Sequence, residues 1–207
     1  MPHIWSPQQI SSLLQAAAQL APQGSLRPHV YSTLLALLNV TGMRISEALA
    51  LELDDFDGET LLIRETKFKK SRRIPLHQTA AAGLQRYLDH RWRVATENQY
   101  LFVSVRGRQL DHSSVGWVFR RLLKAIGLAR GSNGRRPRIH DLRHSFATRS
   151  LETCPEGRDN IGRHMLALST YLGHAHISDT YWYLEATPTL MKDIASCCES
   201  SLKGGER

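Results

Sequence analysis

Apolar residues recur at helical spacing from the first positions of the chain. Ser6-Pro7-Gln8-Gln9 joins an N-cap serine to a proline at the first helical position and a glutamine at the third, and Ile10, Leu13, Leu14 and Ala17 follow on one face. This pattern predicts a helix over about 7–20. Gly24 and Pro28 mark a short loop, and Val30 to Val40 reads as a second, largely buried helix ending at Thr41-Gly42. A helical pattern resumes from Ile45 to Leu51 and closes on the turn residues Asp54-Asp55-Phe56-Asp57-Gly58. The two β-branched and aliphatic runs, Thr60 to Glu65 and Arg72 to Leu76, flank a basic connection and predict an antiparallel hairpin. From Gln78 to about Ala95 the period is helical again, with Leu84, Tyr87, Leu88 and Trp92 assigned to one side. Tyr100 to Val103 reads as a short buried segment and Ser113 to Ile126 as an amphipathic helix. The stretch from His140 onward reads as four or five short helices broken near Cys154-Pro155, Gly173 and Pro188. The expected fold class is α+β: mostly helical, with one small antiparallel sheet.

Composition narrows the function. The chain has 207 residues, 42% of them hydrophobic and 22% charged, which suits one compact domain. Its 27 basic and 19 acidic residues leave a net charge of +8 and a pI near 9.8, pointing to a polyanionic partner, nucleic acid above all. The longest apolar runs fall far short of the roughly 20 residues that span a bilayer, and Met1-Pro2-His3-Ile4-Trp5 resembles no secretory leader. A cytoplasmic protein is expected. Cys154, Cys197 and Cys198 form neither a disulfide framework nor a zinc ribbon, and no Cys/His tetrad accompanies His164, His174 and His176. No metal and no cofactor is expected.

Two basic clusters stand out. One is the hairpin turn, with Arg64, Lys67, Lys69, Lys70, Arg72 and Arg73; the other is the loop from Arg130 through Arg135 and Arg136 to Arg138. Lys69, Lys70, Arg72, Arg73, Arg135, Arg136 and Arg138 are candidate contacts to a phosphate backbone. Directly after the second cluster, His140, Arg143 and His144 fall at i, i+3 and i+4, which puts two imidazoles and a guanidinium on one helix face. Such a face can grip one phosphate.

These residues sit in boxes that resemble the tyrosine recombinase (phage integrase) family. His140-Asp141-Leu142-Arg143-His144-Ser145-Phe146-Ala147-Thr148 is similar to its HxxR box, and Thr41-Gly42-Met43-Arg44-Ile45-Ser46-Glu47-Ala48-Leu49 to the box of its first active-site arginine. Lys67, ahead of Arg73-Ile74-Pro75-Leu76, matches the lysine of the family's β-hairpin. Tyr171-Leu172-Gly173-His174, with Tyr183 nine residues after the histidine, matches the last histidine and the nucleophile. The resemblance runs over about residues 6–195.

The resemblance implies a metal- and ATP-independent DNA strand transferase. Arg44 and Arg143 would fork onto the non-bridging oxygens of the scissile phosphate, and His140 and His174 would handle protons there. Lys67 would protonate the departing 5′-oxygen, and Tyr183 would attack phosphorus to give a 3′-phosphotyrosyl link. Lys69 and Lys70 compete with Lys67, and Tyr181 with Tyr183; the family's spacing favours Lys67 and Tyr183. Glu47, read as three residues along the same helix as Arg44, is either a surface partner or an orienting group. The implied partners are double-stranded DNA and further protomers in a tetrameric synapse, joined through a C-terminal helix carrying Leu190, Met191, Ile194 and Ala195.

The chain departs from the family in two places. Phe68 stands where the family often has glycine. Beside a typical member, only a catalytic domain is expected, with a core at about 6–187, a helix and tail at 188–207, and the amino-terminal core-binding domain absent. The main expectation is a site-specific recombinase of the integrase, transposase or invertase type. The alternatives are a non-catalytic DNA-binding regulator or accessory subunit on the same fold, and relaxation of DNA in the manner of a type IB topoisomerase.

Overall fold

The computed structural model describes residues 2–64, 71–94, 97–130, 134–153, 158–173 and 180. The chain divides into two compact units, Pro2–Ser145 and the stretch from Phe146 onward.

The first unit is built around a buried helix. Helix α1 (Pro7–Ala18) starts with the expected capping box: Gln9 N donates to Ser6 Oγ at 3.2 Å, and Ser6 N to Gln9 Oε1 at 3.1 Å. Helix α2 (Leu26–Thr41) begins four residues earlier than the sequence pattern indicates. Ser25 caps it by accepting from Arg27 N, and Pro28 falls in the first turn, where a missing N–H leaves no bond unmade. Proline here opens a helix instead of punctuating a loop. Leu34, Leu35, Leu37 and Leu38 of α2 are almost wholly buried, and α1 and α4 (Gln78–Arg93) pack against this helix. Gly42 ends α2 at φ 62°, a left-handed conformation that a side chain would strain, and the chain turns at once into α3 (Ile45–Ala50).

Strands β1 (Thr60–Ile63) and β2 (Arg72–Pro75) form the expected antiparallel hairpin, with Leu61 opposite Ile74 and Ile63 opposite Arg72. Leu61, Ile63 and Ile74 face the core. On α4 the buried face differs from expectation. Leu84, Tyr87 and Leu88 are buried, but the next core position is Arg91, and Trp92 is 57% exposed. Arg91 lies seven residues after Leu84, two helical turns along the same stripe, whereas Trp92 is rotated about 80° off it. The guanidinium of Arg91 is tolerated inside because it donates to the carbonyls of Asn98 and Tyr100. These bonds hold the approach to Leu101, Phe102 and Val103, which are fully buried. A tight turn follows at 104–108, and α5 (His112–Ala125), capped by Asp111, packs on α1 and α3.

Helix α6 (His140–Glu152) begins in the first unit and ends in the second. In the second unit Ala147 and Leu151 of α6 pack with Met165, Leu168 and Leu172 of α7 (Arg158–Leu172), and the ring of Phe146 stacks on that of Tyr171 at 5.5 Å. Gly173, at φ 67°, ends α7 at an expected break. Cys154-Pro155 and everything beyond Gly173 except Thr180 lie outside the described residues. None of the described helices is long and apolar enough to cross a membrane.

Candidate active site

Arg44 is the residue that enters α3, with extended backbone at φ −72° and ψ 146°. It therefore does not share a helix face with Glu47, as the sequence reading had it. The two close a reciprocal cap: Arg44 N donates to Glu47 Oε2 at 2.8 Å, and Arg44 Nη1 to Glu47 Oε1 at 2.9 Å. Glu47 also receives Arg72 from β2, whose Nη1 and Nη2 reach its two carboxylate oxygens at 3.1 and 2.8 Å. Its side chain is only 7% exposed. Burial alone would raise its pKa, but the hydrogen bonds and charge of Arg72 and Arg44 outweigh that and hold its carboxyl below the usual range. One carboxylate thus ties the start of α3 to the hairpin strand that leads back toward the predicted general acid.

Arg143 lies in the first turn of α6 with 2% of its surface exposed, and its Nη1 donates to Gly42 O at 2.8 Å. Gly42 is two residues before Arg44, so the left-handed end of α2 brings the two arginines, 99 residues apart in sequence, to one place. His140 opens α6, and the charge of Arg44 is felt at its ring. Burial lowers its basicity, and the guanidinium groups of Arg143 and Arg138 lower it further. The ring of His144 meets that of His140 edge to face at 4.7 Å. Burial, with His140 beside it, takes His144 down to about 4. Both imidazoles are neutral at neutral pH.

The start of α6 is held from two sides. Ser145 Oγ donates to Asp141 O at 2.9 Å and accepts from Trp5 N at 2.8 Å, with Trp5 buried. Asp141 Oδ2 accepts from Arg138 N at 2.8 Å. The sequence held no sign of the Trp5 anchor, the Gly42 carbonyl or the double use of Glu47; each depends on residues far apart in the chain.

The other sequence candidates fall into four groups. Arg72 is mostly buried against Glu47. Arg73 and Arg138 are exposed, each beside a carboxylate: Asp57 at 3.0 Å and Asp141 at 3.3 Å. Arg135 and Arg136 are exposed at the end of the basic loop. Lys67, Lys69, Lys70, His174 and Tyr183 lie outside the described residues, as does the predicted helix of Leu190, Met191, Ile194 and Ala195. Among the described residues no cluster of three or more His, Cys, Asp or Glu is placed to hold a metal ion.

This arrangement has recognisable relatives. A putative integrase/recombinase of Sinorhizobium fredii strain NGR234, y4rB, is 40% identical over 200 residues, covering 93% of this chain and 64% of that protein, so the chain spans about two thirds of its relative's length. The crystal structure of XerA recombinase superposes with a TM-score of 0.73 at 25% identity over 95% of this chain and 65% of the other. XerH site-specific recombinase bound to a palindromic difH substrate in a post-cleavage complex gives 0.70 at 25% identity over 96% and 54%. The model of the Phage integrase family matches residues 5–189, nearly the whole of the described fold with Arg44, His140 and Arg143 inside it, and the chain belongs to that family.

Proposed function

We propose that this chain is the catalytic part of a site-specific DNA recombinase that cuts and rejoins strands through a 3′-phosphotyrosyl intermediate. The observation that carries the reading is the meeting of Arg143, Gly42 and Arg44, with the neutral imidazole of His140 beside them. A phosphodiester under attack concentrates negative charge on its non-bridging oxygens. Two guanidiniums held in advance stabilise that charge without reorganising, and each offers a planar fork that matches two oxygens.

The chemistry follows by balance of bonds. The phenol oxygen of Tyr183 attacks phosphorus, and its proton passes to a neutral acceptor; His140, unprotonated at neutral pH, is suited to take or relay it. The bond from phosphorus to the 5′-oxygen breaks, and Lys67 protonates the leaving oxygen. His174 donates to the phosphate. One phosphodiester is exchanged for another, so a 5′-hydroxyl of a second strand reverses the step without ATP.

Glu47 and Arg72 act through Arg44. The bidentate pair fixes the carboxylate, and the carboxylate fixes both the backbone and the head group of Arg44. Arg72 is in this reading a positioning residue rather than a phosphate contact. Arg73, Arg135, Arg136 and Arg138, with Lys69 and Lys70, hold the DNA backbone. Residues of about 6–187 form the catalytic core, and 188–207 join a neighbouring protomer on DNA in the cytoplasm. The DNA-bound XerH relative supports the substrate class.

A nicked suicide duplex tests the mechanism. Wild type should give a slowly migrating covalent adduct on a denaturing gel and Tyr183→Phe none; no adduct from wild type, or an adduct from the variant, would overturn it. Relaxation of a supercoiled plasmid that lacks any recombination site would point instead to topoisomerase action.

A further inference from the structure

Arginines in the first unit differ in what they face. Arg44, Arg64, Arg72, Arg73 and Arg138 each lie against a carboxylate. A second group does not. A groove of about 750 Å³ runs between the start of α2, the turn at 104–108 and α5, and its walls include Arg27, Arg106, Arg108, Arg120, Trp117 and Asp111. Among the described residues no carboxylate is within ion-pair distance of the four arginines. The one acid of the wall is already engaged, since Asp111 accepts from Ser114 N at 2.8 Å and from Ser114 Oγ to cap α5. Four cations therefore share a cleft with a single committed carboxylate.

The local structure explains how the charges are displayed. Gly107, at φ 71°, makes the tight turn in which Ser104 N donates to Arg108 O at 2.7 Å, so Arg106 and Arg108 flank the tip and both are exposed. Arg27 is steadied by a bond to Ala21 O at 3.0 Å and by the ring of Tyr31 beneath it. Trp117 is 49% exposed, with the guanidinium of Arg121 at 4.8 Å over its ring. An open indole between guanidiniums suits a ligand that alternates anionic and apolar parts, as phosphate and deoxyribose do.

The groove is also close to the site. Gln109 Nε2 donates to Leu49 O at 2.9 Å, which ties the turn to α3, the short helix that Arg44 opens. Its six residues rise about 9 Å. A duplex carries one negative charge per ~1.7 Å of its axis, so a scissile phosphate at Arg44 brings flanking phosphates within range of the groove.

We propose that this groove, through Arg27, Arg106, Arg108 and Arg120, is a second DNA-backbone site that grips phosphates flanking the one to be cut. The proposal rests on the DNA reading above and adds residues that neither basic cluster of the sequence contains. An acidic protein segment is the competing occupant, but DNA is favoured because the reaction itself places phosphates beside α3.

Fluorescence anisotropy with a duplex of about 30 base pairs, over roughly 50 to 300 mM salt, tests it. In the variant Arg106→Gln/Arg108→Gln/Arg120→Gln, the slope of log affinity against log salt should shrink by about 2 to 3, near 0.9 for each lost phosphate contact, and low-salt affinity should fall at least about tenfold. The matching triple lysine variant should restore most of the slope, which separates lost charge from damaged folding. An unchanged slope in the glutamine variant would overturn the proposal. So would unchanged DNA binding joined to loss of binding to a polyglutamate peptide, which would assign the groove to an acidic protein. Absence of salt-dependent DNA binding by wild type would instead overturn the DNA reading as a whole, the groove with it.

Discussion

Arg44 and Arg72, at α3 and the hairpin, are braced by the buried carboxylate of Glu47, while the arginines around the 104–108 turn are left to the solvent. The contrast separates two uses of the same side chain. An arginine that must meet one atom in one geometry is worth fixing, and a buried carboxylate does so at the cost of cancelling part of its charge. An arginine that holds a repeating polyanion needs its whole charge and little precision. A net charge of +8 counts both kinds alike.

The largest effect on the braced side should come from Glu47→Gln. It leaves the mostly buried Arg72 without its counter-ion and frees Arg44 at once. A loss of about 2 kcal/mol is expected, read as a fall of roughly 4 to 8 °C in Tm for a chain of this size. A double-mutant cycle with Arg72→Gln should recover part of it, and additive losses would mean that the two residues are not coupled.

The histidines beside the braced arginines give the next effect. His144 has its pKa lowered to about 4, and His140 is shifted in the same direction. The unfolded chain therefore binds these protons first, so the stability is complete above about pH 6.5 and is lost as the pH falls toward 4. Between pH 7 and 5, above the usual carboxylate range, Tm of wild type should decline, and His144→Gln should flatten that decline. An identical decline in the variant would show that His144 is not responsible.

The smallest effect belongs to Arg73→Ala. Its pair with Asp57 is exposed on both sides, at 67% and 48%, and less than about 1 kcal/mol should be lost in urea unfolding. A larger loss would remove the distinction between bracing and merely neighbouring charges.

The helices and the hairpin were legible because each is a local pattern: a capping box at Ser6, alternation around Ile74, a glycine stop at Gly42 and Gly173. Arg91 was not, because a stripe of apolar letters passes over a cation whose partners are the carbonyls of Asn98 and Tyr100, in a different segment. At the site, family boxes picked out Arg44, His140 and Arg143, and the structure brings them together. What the boxes could not carry is which charges are already used. Arg72 and Arg73 are adjacent and identical in sequence, yet one is locked on Glu47 and the other lies in solvent, a difference set by strand alternation and by an acid 25 residues earlier.

The most direct test of this division measures affinity, its salt slope and the single-turnover cleavage rate on one suicide duplex, for Arg72→Gln beside the glutamine triple variant of the groove. Arg72→Gln should lose cleavage rate at saturating DNA, by about tenfold or more, and keep the wild-type salt slope, whereas the groove variant should lose slope and affinity. The account would be contradicted if Arg72→Gln lowered the salt slope as a phosphate contact does and cleaved at the wild-type rate once saturated.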